Sequence, residues 1–87
     1  MENTIIFSLK RGLSEGSQNA FLNTVRGWNG VVAVGRLNPN ASDPNALRTC
    51  FLYTRAGAKV EPLAVRLKRD SNVETASVQP YRYAAAI

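Results

Sequence analysis

Apolar and polar positions alternate with a period of two near the start of this chain and again just past its middle, and helical spacing appears between and after those runs. From Thr4 to Lys10, Ile5, Phe7 and Leu9 stand against Thr4, Ile6 and Ser8, the pattern of a half-buried strand. Gly12 ends that run. Ser14 followed by Glu15 then predicts a helix start with a capping hydroxyl and an acid in the first turn. Phe21, Val25 and Trp28 recur at spacings of four and three, with Leu22 beside them, so this helix has one apolar face, and Gly27 and Gly30 close it.

The valine-rich run Val31 to Leu37 predicts a second strand. Asn38 to Ala46, with Pro39 and Pro44 among polar residues, is expected to be a loop. Leu47 to Thr54 alternates again, Leu47, Thr49, Phe51 and Tyr53 on one side and Arg48, Cys50, Leu52 and Thr54 on the other, a third strand expected to form a hairpin with the second. Gly57 interrupts. Pro62 suits a first helical turn, and Val60, Leu63, Ala64 and Leu67 line one side of a helix running to about Arg69. A fourth strand is expected from about Glu74, and Pro80, which lacks a ladder donor, sends it to a sheet edge or ends its pairing.

The order β-α-β-β-α-β predicts a ferredoxin-like α+β sandwich, a four-stranded antiparallel sheet with both helices on one face and the other face open. The whole chain, 1–87, reads as one such domain with an apolar C-terminal tail over about 81–87. At this length only roughly 60 to 65% of the unfolded surface can be buried. With 45% hydrophobic and 20% charged residues the chain is expected to fold unaided.

Composition narrows the chemistry. There is one cysteine, Cys50, and no histidine, which excludes an intrachain disulfide, histidine-based catalysis and the usual zinc clusters. Cys50 is expected to be a small buried hydrophobe. Asp43 and Glu61 have no carboxylate partner at a spacing suited to acid-base work, so neither an enzyme nor a cofactor is expected. Met1 to Lys10 lacks the basic start and long apolar run of a signal peptide, and no stretch is long enough to span a bilayer, so a cytoplasmic protein away from membranes is expected.

The net charge of +5 favours anionic partners, although the cluster Arg66, Lys68 and Arg69 falls in a last helical turn, where cations suit the helix dipole in any case. If Cys50 and Leu52 face the helices, Phe51 and Tyr53 stand on the open sheet, where an RNA-recognition motif stacks bases. Arg36, Arg48 and Arg55 flank the same strands as candidate anion contacts. RNA or another protein is therefore one expected class of partner, and a homodimer through the open face is another.

Three segments carry a resemblance to a known family. Thr4-Ile5-Ile6-Phe7 resembles the opening strand of subtilisin propeptides and of the small propeptide-like inhibitors of subtilisin. Val60 to Val73 is similar to their second helix and the acidic turn after it, and Ser77-Val78-Gln79-Pro80-Tyr81-Arg82 to the run before their tail. The resemblance implies a sheet that packs on two surface helices of a subtilisin-like serine protease. It also implies that Tyr81, Arg82, Tyr83, Ala84, Ala85, Ala86 and Ile87 lie product-like in the active-site cleft. Gln79 and Tyr81 stand where that family usually carries acids, and the loop from Asn38 to Ala46 is longer than usual.

Overall fold

The computed structural model describes residues 4–79. Its elements are β1 (Thr4–Leu9), α1 (Glu15–Arg26), β2 (Val31–Arg36), α2 (Pro44–Leu47), β3 (Thr49–Thr54), α3 (Val60–Arg69) and β4 (Val73–Gln79). The four strands form one sheet in the order β2-β3-β1-β4, every neighbouring pair antiparallel. This is the ferredoxin-like arrangement, with β1 and β3 inside and β2 and β4 at the edges.

Alternation along the strands builds the core. Ile5, Phe7 and Leu9 are fully buried, and the register sets Ile5 beside Leu52 and Phe7 between Cys50 and Ala76, all on one face. That face meets Phe21, Leu22 and Val25 of α1 and Val60, Leu63, Ala64 and Leu67 of α3 in a single apolar cluster. Phe7 and Phe21 meet edge to face with ring centroids 6.5 Å apart. Trp28 lies past the end of α1 yet extends its apolar stripe, and the Arg66 guanidinium sits 3.9 Å from its ring centroid, tying α3 to the end of α1.

Side-chain hydrogen bonds mark the start of α1 and the turn after α3. The Ser14 hydroxyl accepts the Ser17 N–H at 3.1 Å, as the Ser-Glu start predicts. Gly30 holds φ at +89° in the turn into β2, a conformation that suits glycine, and its carbonyl accepts the Arg55 N–H. At the end of α3, the Asp70 carboxylate accepts the Asn72 N–H at 2.9 Å, an Asx turn that aims the chain into β4.

The segment expected to be a loop over Asn38 to Ala46 holds part of a one-turn helix, α2. Asp43 caps it by accepting the Asn45 N–H at 2.9 Å, and Pro44 supplies a first-turn φ without wasting a donor. Leu47 therefore belongs to this turn, and β3 begins at Thr49. The sheet also carries two irregularities, at Val32 in β2 and between Ser8 and Leu9 where β4 pairs with β1. The second lets β4 begin at Val73, one residue before the expected start.

Candidate protein-docking face

The sheet face turned away from the described helices follows from the same register. Residues that alternate with the core positions line up across the strands in rows. One row runs Ala33, Tyr53, Thr4, Gln79, the next Gly35, Phe51, Ile6, Ser77, and the third Thr49, Ser8, Thr75. None of these residues is charged. In a chain with 11 Lys and Arg and six Asp and Glu, three adjoining rows without one charge form a distinct surface.

Phe51 and Tyr53 dominate it. Their ring centroids are 4.8 Å apart and tilted by 39°, Phe51 half-buried and Tyr53 40% exposed. Gly35 lies against the Phe51 ring: a Cβ there would sit 3.4 Å from it, in close contact. Ile6 stands beside Phe51 at the centre of the face. The face thus has an apolar middle and a hydroxyl- and amide-bearing margin, the anatomy of a surface that excludes water at its centre and hydrogen-bonds at its rim.

Of the residues singled out in the sequence, Phe51 and Tyr53 come together and the three arginines do not join them. Arg36 shares a face with buried Cys50 and reaches α1, its Nη1 donating to Asn19 Oδ1 at 3.0 Å and its Nη2 to Gln18 Oε1 at 2.9 Å. Arg48 is a brace. Its Nη1 donates to the Leu9 carbonyl at 2.7 Å and lies 3.3 Å from Glu74 Oε2, while Nη2 donates to Asn45 Oδ1 at 2.7 Å. Arg55 is exposed in the turn after β3. A continuous stripe of cations beside the aromatic pair, which an anionic strand needs, is not what the fold assembles from these three.

Ile6, Ala33 and Gly35 belong to this face although sequence reasoning did not select them. For Ile6 the signal was present, since it alternates with Ile5 and Phe7. For Ala33 and Gly35 it was not, because the bulge at Val32 resets which β2 residues face outwards.

Tyr81, Arg82, Tyr83, Ala84, Ala85, Ala86 and Ile87 lie outside the described residues. The last described residue of β4, Gln79, pairs with Thr4 in the row that holds Tyr53, so the described part of β4 ends at the Tyr53 end of the uncharged face. The Cys50 thiol is fully buried, and that burial pushes its pKa up to about 11, against a smaller opposing pull from the Arg36 charge. It is poorly suited to act as a nucleophile. Among the described residues no helix is long and apolar enough to cross a membrane. No family model, curated protein or solved structure matches the chain.

Proposed function

We propose that this protein binds a subtilisin-like serine protease as a propeptide-like inhibitor or folding chaperone, docking its open sheet face on the protease and laying Tyr81 to Ile87 along the substrate cleft. The observation that carries this reading is the uncharged face. Burying a charge against a partner costs several kcal/mol unless it is paired, and the three rows contain none to bury. Phe51, Tyr53 and Ile6 supply apolar contact at the centre.

The position of Gln79 supports the second half of the proposal. A segment that follows Gln79 begins at the margin of the docking face, so sheet and tail can engage one partner together. An extended tail with small side chains at Ala84, Ala85 and Ala86 can add a strand to a substrate-binding edge, with main-chain hydrogen bonds giving affinity. The folded body behind it lowers the entropy lost on binding. No catalytic group is required on this side.

The test is a titration of subtilisin activity with the full chain beside a form lacking Ala84 to Ile87, both verified as folded by circular dichroism. Inhibition by the full chain that is lost in the shortened form is the expected result. Equal inhibition by both forms overturns the role of the tail, and inhibition by neither overturns the proposal. The aromatic pair alone favours a second reading, stacking of single-stranded RNA, which a salt-dependent RNA affinity lost in Phe51→Ala would support.

A further inference from the structure

At the end of the sheet opposite Gln79, where β1 and β2 finish and β3 begins, a cleft of about 670 Å³ opens between the start of α1 and the β2–β3 connection. We propose that this cleft binds a small organic anion through its phosphate or carboxylate group. The site is separate from the docking face, and the inference does not depend on the protease reading.

Charge is the first argument. Arg11, Arg36 and Arg48 all line the cleft, and Glu15 is the one acidic residue in the lining. Arg48 is matched by Glu74 behind it, the one ion pair among the described residues. Arg36 has no such match. Its two hydrogen bonds go to the side-chain oxygens of Gln18 and Asn19, which are neutral and hold the guanidinium in place without cancelling its charge. Those bonds use two of the five donors an arginine carries. A half-buried guanidinium, fixed in orientation and short of a carboxylate, is prepared for an oxyanion.

Shape is the second. The volume falls in the range of about 300 to 1,000 Å³ typical of small-molecule sites. Leu13, Pro39 and Pro44 add an apolar part to the lining, so the anionic group would be carried on a body with some apolar surface. The capped turn α2 supports that lining and Arg48 ties it to β1 through the Leu9 carbonyl, so the cleft is built from braced segments.

Calorimetric titration of the full chain with inorganic pyrophosphate and, separately, with citrate at constant ionic strength tests the proposal, with amide chemical shifts locating the site. Saturable binding of at least one anion is expected, with shifts confined to residues 11–18 and 36–48. Tighter pyrophosphate would assign the phosphate class and tighter citrate the carboxylate class. Arg36→Gln is expected to weaken binding by about tenfold or more, the loss of a charge-assisted contact. Because Arg36 also holds α1, Arg11→Gln on the exposed rim provides a second variant and is expected to weaken binding several-fold, while Glu15→Gln strengthens it. Absence of saturable binding by both anions, shifts centred elsewhere, or affinity unchanged in both arginine variants would overturn the proposal.

Discussion

Phe51 and Tyr53 stand on the sheet face that none of the described helices covers, their ring centroids 4.8 Å apart, one residue of β3 pointing into the core between them. Leu52 is that residue, and it is fully buried. The two outward rings are therefore separable from the core in a mutational test. Tyr53→Ala is expected to weaken protease binding by about 2 kcal/mol, as an aromatic anchor does, and to lower stability by less than about 1 kcal/mol. Inhibition constants beside urea denaturation measure both. A stability loss as large as the binding loss would make the ring structural.

Ser77→Lys distinguishes the two partner classes. Ser77 is exposed in the central row beside Ile6, so the lysine is expected to leave the fold intact. It would bury an unpaired charge in a protein interface, weakening protease inhibition by about 2 kcal/mol or more. The same lysine would add a phosphate contact and strengthen RNA binding with a steeper salt dependence. Improved RNA affinity together with unchanged protease inhibition would reverse the assignment.

Arg48 and Glu74 should contribute unequally although they form an ion pair. Arg48→Ala removes the bonds to the Leu9 carbonyl and Asn45 as well as the pair and is expected to destabilise by about 2 to 3 kcal/mol. Glu74 is 45% exposed, and Glu74→Gln is expected to cost no more than about 1 kcal/mol. The midpoints of urea unfolding report both, and equal losses would mean that the pair rather than the brace is what matters.

Cys50 gives the protein an alkaline limit. Its thiol holds its proton more tightly when folded, up to a pKa of about 11 against an ordinary 9.0. The unfolded chain therefore releases that proton first as pH rises, and stability present below about pH 9 is lost progressively towards pH 11. Cys50→Ala is expected to flatten this part of the stability profile. At neutral pH the native thiol should resist a thiol reagent that labels the urea-unfolded chain at once. Rapid labelling of the native protein would contradict its burial.

Much of this architecture is legible in the residues. The two-residue period over Thr4 to Leu9 and Thr49 to Thr54 reveals both strands, because side chains must alternate between a wet and a dry face. Ser14 announces α1 through its own hydroxyl. The turn α2 has no apolar stripe to betray it, and its one signal, Asp43 before Pro44, is lost among neighbouring polar and proline residues. Placement of the arginines was not legible either. Arg36 and Arg48 sit at strand ends, where a single bulge or turn decides which side a long side chain takes, and neither feature has a sequence period.

β1, the first of the described strands in chain order, occupies an inner place in the sheet between β3 and β4. Its ladder to β4 joins Thr4 to Gln79, nearly the full span of the described chain. Fragments ending before β4 leave one edge of β1 without hydrogen-bonding partners and part of the core uncovered, so the fold is withheld until β4 has been made. During that interval the apolar segment Ile5 to Leu9 is a site for chaperone capture or for misassociation between nascent chains.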